Sequence, residues 1–210
     1  MIILDLKHRS TTLSGPDAAQ ITQLLHNDQV IVYPTDTLYG LGVDASSEAA
    51  VARLYRLKAR EDSPISVLLE SVAQLFDLAD GLNETARILI QKFLPGALTV
   101  VCKCHYPFAR QLMSRSATMG FRVPGDAISR QIPELNGRPV TTTSVNPAGF
   151  PAATSLEEVQ SYFADELGMM LNMGTLRASR GSTVIDLTTQ PFEILREGEI
   201  ARQALQEFLN

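Results

Sequence analysis

The sequence predicts an α/β fold, a mixed sheet with flanking helices in a single domain spanning residues 1–210. Strand-like and helix-like segments alternate along the chain with short connections. No linker, internal repeat, low-complexity tract or break in composition interrupts them. The last strand-like segments follow one another with little helix between them, so part of the sheet should be antiparallel.

Ile2, Leu4 and Leu6 alternate with polar neighbours and predict an edge strand. Ser14-Gly15-Pro16-Asp17 opens a helix, with a small polar cap and proline in the first turn, and Ala18, Ile21, Leu24 and Leu25 follow at helical spacing. Val30, Ile31, Val32 and Tyr33 are β-branched or aromatic and apolar on both faces, as a strand buried on both sides requires. Pro34 ends that strand, because it cannot donate to a ladder, and Gly40 and Gly42 are expected to let the backbone turn. Val51, Leu54 and Tyr55 carry a second helix, with Arg53, Arg56 and Arg60 along another side. Residues 64–69 form a short buried strand; Ser71 with Gln74 makes a capping box; Asn83 caps a helix stopped at Pro95-Gly96. A long β-prone run covers residues 98–104, residues 107–113 are expected to be helical, and residues 118–123 form a strand. Asp126 caps a helix, residues 140–144 form a threonine-rich strand, and Ser155 with Glu158 makes a second capping box. Short strands at 169–173, 182–187 and 192–197 and a closing helix at 202–209 complete the chain.

At 210 residues, with 45% apolar and 20% charged side chains, the chain can bury a core without staples. Two cysteines argue against a disulfide scaffold and fit a reducing compartment. No apolar run reaches membrane-spanning length, and the N-terminus meets charge too early for a signal peptide, so the expected location is the cytoplasm with no membrane partner. A net charge of -5 gives no global pull toward nucleic acid. Most of the cations are arginine, which suits bidentate contact with phosphate or carboxylate.

Ligands of open α/β sheets collect beyond strand C-termini, and Thr35, Asp36 and Thr37 stand at such a place. An ordinary turn held by Asx and threonine hydrogen bonds would read the same way. Lys58 and Arg60, two apart at a helix exit, could reach one polyanion; a plain dipole-favoured cluster is the alternative. Thr141-Thr142-Thr143-Ser144 followed by Asn146 offers short donors for phosphate oxygens or a hydroxyamino acid, or simply β-prone threonine and an Asx turn. Alternation places Thr118, Gly120 and Arg122 on one strand face, and an arginine there needs a carboxylate from protein or ligand. Ser182 opens a strand and Arg196 ends the next. There is neither a P-loop nor a dinucleotide fingerprint, and His8, His26 and His105 lie outside these groups, which counts against histidine-based nucleophilic catalysis. Cys102-Lys103-Cys104-His105 lacks a further metal ligand; paired cysteines are expected there and no metal site.

In order, PTDTLYGLG at 34–42, KAR at 58–60, GFRVP at 120–124, TSVN at 143–146, STVIDL at 182–187 and ILREG at 194–198 resemble the YrdC-type threonylcarbamoyl-AMP synthase family, in the YrdC/YciO/YwlC group. The chain looks like the short, TsaC-like form. The resemblance implies a twisted open sheet with flanking helices curled around a large, positively charged concave cavity. It implies a nucleotidyltransferase that joins L-threonine, bicarbonate and ATP into threonylcarbamoyl-AMP with release of pyrophosphate, and Mg²⁺ on the phosphates as the sole cofactor. The product would pass to threonylcarbamoyl-transferase machinery that modifies tRNA. By resemblance, Lys58, Arg60, Ser144 and Asn146 form the catalytic tetrad and, with Thr118 and Arg196, hold ATP; Thr37, Arg122, Thr142 and Ser182 hold threonine, with Arg122 on its carboxylate.

The sequence departs from the family pattern at Glu61, Leu68 and Phe150, where relatives often carry proline, histidine and a basic residue. A YciO-like divergent paralogue, a protein of the same fold that binds tRNA or double-stranded RNA through Arg53, Arg56, Lys58 and Arg60, and a nucleotide-sensing module therefore stand as alternatives. Binding to RNA phosphates would weaken steeply with salt.

Overall fold

The computed structural model of the protein describes residues 1–7, 12–59, 64–114, 116–163 and 166–209. Its strands are β1 (Ile2–Asp5), β2 (Ile31–Tyr33), β3 (Gly40–Gly42), β4 (Ser66–Leu68), β5 (Ala79–Asp80), β6 (Leu98–Cys104), β7 (Thr118–Arg122), β8 (Val140–Ser144), β9 (Met169–Asn172), β10 (Thr183–Asp186) and β11 (Glu193–Arg196). Its helices are α1 (Gly15–His26), α2 (Glu48–Leu57), α3 (Val72–Leu78), α4 (Glu84–Phe93), α5 (Ala127–Asn136) and α6 (Leu156–Phe163), and a 3₁₀ helix covers Arg202–Phe208. The strands make one sheet in the order β1-β9-β2-β3-β8-β4-β7-β6-β10-β11, with β5 added beside β6.

The sheet is mixed. β9 runs parallel to β1 and β2, β4 to β7, and β6 to β10, whereas β3 and β8 are antiparallel to both of their neighbours. β10 and β11 form the antiparallel end predicted from the closely spaced late strands. The period of two along β2 separates two cores. Val30 and Val32 join the larger, with Leu54 of α2 and Ile90 of α4; Ile31 and Tyr33 join the smaller, with Ile21 and Leu25 of α1 and Ile128 and Ile132 of α5. Helices thus cover both faces, which is why β2 carries only aliphatic and aromatic side chains, with the Tyr33 hydroxyl donating to the Thr141 carbonyl (2.8 Å).

Small polar caps fix where the helices begin. Ser14, Ser47, Ser71, Asn83 and Asp126 each accept the backbone N–H three residues on. Both expected capping boxes are shifted by one residue in their return bond. Gln74 accepts the N–H of Glu70 (3.1 Å), and Glu158 accepts the N–H of Thr154 (2.6 Å), not those of Ser71 and Ser155.

Four expectations are corrected. Gly40 and Gly42 do not turn the chain; they lie in β3, paired with Tyr33 and Ile31. Their missing side chains make room for the Tyr33 ring: a Cβ on Gly42 would lie 2.6 Å from Tyr33 Cε1 and 2.8 Å from Val140 Cγ1. Residues 107–113 are not helical. The N–H groups a helix would use are drawn elsewhere, Ala109 to the Ala45 carbonyl (2.9 Å) and Arg110 to Glu48 Oε1 (3.0 Å), while Phe108 and Leu112 bury in the larger core. The closing helix is 3₁₀, with its buried residues Leu205 and Phe208 three apart. Cys102 and Cys104 are free thiols. Same-face neighbours on one strand stand about 6.8 Å apart, too far for the Cβ separation of a disulfide. The two-residue β5 was too short to be read in advance. Among the described residues, no helix is long and apolar enough to cross a membrane.

Candidate active site

The turn after β2 is closed by Thr35. Its hydroxyl donates to the Leu38 carbonyl (2.6 Å) and accepts the N–H groups of Thr37 and Leu38 (3.1 Å each). Asp36 is therefore not consumed in an Asx turn. Its carboxylate reaches across the chain to β7, where Oδ1 accepts from Arg122 Nη2 (2.5 Å). The same nitrogen donates to Thr37 Oγ1 (2.7 Å). Alternation along β7 places Phe121 in the larger core and Thr118, Gly120 and Arg122 on the opposite face, as the sequence predicts.

That face opens onto a cavity of about 490 Å³. Thr35, Thr37 and Leu38 form one wall, and Thr142, Thr143 and Ser144 of β8 another. Arg180, Gly181 and Ser182 meet Leu195 and Arg196 of β11 on a third side. Seven of the predicted site residues line it: Thr37, Thr118, Arg122, Thr142, Ser144, Ser182 and Arg196. Among the described residues the lining carries three arginines (Arg122, Arg180 and Arg196) against one aspartate, Asp186, an electropositive balance in an acidic protein. The volume falls in the range of small-molecule sites.

Gly198 builds the third side. A Cβ there would lie 2.3 Å from the Gly181 carbonyl, so only glycine lets the two segments approach. The Gly198 N–H then donates to Thr183 Oγ1 (2.9 Å), and Arg196 Nη2 donates to the Ser182 carbonyl (2.9 Å). Ser182 Oγ lies 2.8 Å from Thr99 Oγ1, which fixes the hydroxyl against β6.

Lys58 and Asn146 do not line the cavity. Lys58 is only 2% exposed, and its ammonium donates to the carbonyls of Ser144 (2.5 Å) and Asn146 (2.9 Å) and to Asn146 Oδ1 (3.3 Å). Ser144 Oγ donates to the same Oδ1 (2.6 Å), and Asn146 Nδ2 donates to the Phe150 carbonyl (2.6 Å). The lysine thus ties the end of α2 to the end of β8. Arg60 and Glu61 lie outside the described residues. Arg56 is exposed and Arg53 donates to the Glu166 carbonyl; neither lines the cavity. Leu68 is buried in the smaller core, and Phe150 stacks edge-on against Tyr162 at 56% exposure, so neither departure from the family pattern touches the cavity wall.

Ser66 and Ser114 line the cavity without having been expected there, and Arg180 lines it at the head of the stretch that carries Ser182. Ser66 is the polar residue between buried Ile65 and Val67; Ser114 accepts the N–H of Thr118 (2.9 Å) across a loop that no periodicity marks. Arg180 stands two residues from Ser182. Burial pushes the Tyr33 phenol well above its ordinary range, so the ring under β3 stays neutral. The described residues hold no group of three or more His, Cys, Asp or Glu that could grip a metal.

The sequence matches the Sua5/YciO/YrdC family model, described as "Telomere recombination", over residues 23–198. It is 32% identical over 186 residues to a threonylcarbamoyl-AMP synthase of Pyrococcus abyssi, covering 88% of this chain but only 55% of that relative. Among solved structures, P. abyssi Sua5 complexed with L-threonine superposes with a TM-score of 0.91 at 30% identity, over all of this chain and 61% of the other. E. coli YciO superposes with a TM-score of 0.85 at 24% identity, over 99% and 98% of the two chains, a likeness of fold.

Proposed function

The chain belongs to the Sua5/YciO/YrdC family, and from that premise we propose that it makes L-threonylcarbamoyl-AMP from L-threonine, bicarbonate and ATP, releasing pyrophosphate. The observation that carries the reading is the single cavity in which Arg122, Arg196 and the hydroxyls of Thr37, Thr118, Thr142, Ser144 and Ser182 converge. The fold match to a protein solved with L-threonine supports threonine as the amino acid.

The amine of threonine condenses with bicarbonate to a carbamate, with loss of water. A carbamate oxygen then attacks the α-phosphorus of ATP; the new P–O bond forms as the bond to the β-phosphate oxygen breaks, and pyrophosphate leaves. The attacking group is already an anion, so no protein nucleophile is needed. The work of the site is to hold anions together and to meet the charge on the phosphoryl group. In this reading Arg122 takes the threonine carboxylate, and Thr37, Thr142 and Ser182 surround the amino acid. Thr118, Ser144 and Arg196 face the nucleotide, and the family resemblance assigns Arg60, outside the described residues, to the same ligand. Lys58 and Asn146 act by holding Ser144 in place. Mg²⁺ would arrive with the nucleotide, held mainly by phosphate oxygens and water, with Asp186 the one carboxylate in the lining among the described residues. We place the reaction in the cytoplasm, where the adenylate would feed the transferase machinery that modifies tRNA.

Purified protein incubated with ATP, threonine and bicarbonate should yield pyrophosphate and the adenylate by mass spectrometry, and Arg60→Ala and Ser144→Ala should lose both. Wild-type pyrophosphate release in those variants would overturn the assignment. Salt-sensitive RNA binding without threonine-dependent turnover would instead support the RNA-binding alternative.

A further inference from the structure

We propose that Asp36 is a positioning residue that fixes the Arg122 guanidinium for an incoming carboxylate; the role of that carboxylate rests on the function proposed above. Arg122 is 6% exposed and lines the cavity; Asp36 does not line it. Asp36 therefore reaches a ligand only through the arginine.

Among the described residues, the guanidinium is held by one nitrogen. Nη2 donates to Asp36 Oδ1 (2.5 Å) and to Thr37 Oγ1 (2.7 Å), while Nε is buried without any partner. A fully paired structural arginine would leave no such donor; this one keeps hydrogen-bonding capacity unspent beside the cavity. Asp36 also balances the charge, since a buried guanidinium without a counterion is unfavourable before any ligand arrives. The carboxylate is itself free to do this because Thr35, not Asp36, closes the turn. Gly125 leaves the carboxylate its place: a Cβ there would lie 3.2 Å from Asp36 Oδ2.

The alternative is an ion pair that only stabilises the fold. The two separate by comparing Asp36→Ala with Asp36→Asn, which keeps an Oδ1 acceptor at the same place. Positioning predicts that Asp36→Ala raises the KM for threonine by about 10- to 100-fold while the KM for ATP stays close to wild type. Asp36→Asn should recover most of the loss. A threonine KM unchanged in Asp36→Ala, or KM values raised alike for both substrates, would overturn the proposal. A second readout needs no substrate: in ¹⁵N spectra of the arginine side chains, Arg122 should show hindered rotation about its guanidinium in wild type and Asp36→Asn, and lose it in Asp36→Ala. An Arg122 equally restrained in Asp36→Ala would also refute the role. If wild type shows no dependence on threonine, the proposed synthase function fails by itself, and the spectra still decide whether Asp36 holds Arg122.

Discussion

The ammonium of Lys58 is bonded to the backbone carbonyls of Ser144 and Asn146, at 2.5 and 2.9 Å. A lysine placed where a nucleotide-binding cation was expected is instead enclosed by the chain's own acceptors. It joins the exit of α2 to the end of β8, 86 residues later in sequence. The Lys58 carbonyl in turn accepts the N–H of Ala148 (3.1 Å), so the junction is fastened in both directions.

Removing that ammonium should therefore damage the fold as well as the chemistry. In Lys58→Met the two carbonyls and the Asn146 amide oxygen lose a charged donor inside the protein. A loss of about 2–4 kcal/mol is expected, read as a lowered urea midpoint. Ser144→Ala keeps the carbonyl that Lys58 grips, so it should lose activity with a stability change of about 1 kcal/mol or less. Equal stability losses in the two variants would count against the junction.

Gly42→Ala tests the second reading of the glycine-rich strand. The added methyl meets Tyr33 Cε1 and Val140 Cγ1 inside van der Waals distance, in a strand that is buried throughout. The expected destabilisation is about 1–3 kcal/mol. Combining it with Tyr33→Leu, which removes the ring from that space, should give less than the sum of the single losses. Additive losses in denaturant unfolding would mean that the ring and the glycine are not coupled.

The two thiols on β6 give a prediction in pH. Burial, reinforced by the neighbouring Cys104 and by Asp80 and Asp186, pushes the Cys102 thiol from its ordinary 9.0 up to about 12. The unfolded chain then loses this proton at lower pH than the folded one. The contribution to stability is fully present below about pH 9 and disappears as the pH rises toward about 12. Urea midpoints should fall across that window, and fall less in Cys102→Ala. Iodoacetamide should label Cys102, which is 1% exposed, only after denaturant is added, as mass spectrometry of the peptides would show.

How far the sequence reaches is clearest in β7 and the turn after β2. Alternation alone separated Phe121 from Thr118, Gly120 and Arg122, and the cavity lies on the side so assigned. The caps at Ser14, Asn83 and Asp126 are equally local, since each bond spans three residues. Where the reading failed, the deciding partner was distant. Residues 107–113 are polar and apolar at helical spacing, yet their N–H groups answer to Ala45 and Glu48. Gly40 and Gly42 looked like turn residues because nothing nearby showed the Tyr33 ring that fills their place.

The sequence by itself determined the α/β class, the apolar strand at the centre and the hydroxyl and arginine residue types that line the cavity, because hydrophobic period, capping and side-chain chemistry act over a few neighbours. Only the tertiary structure decided that Asp36 meets Arg122 and that Lys58 turns inward to β8, because each pairing spans 86 residues and is set by strand order and packing rather than by anything near in the chain.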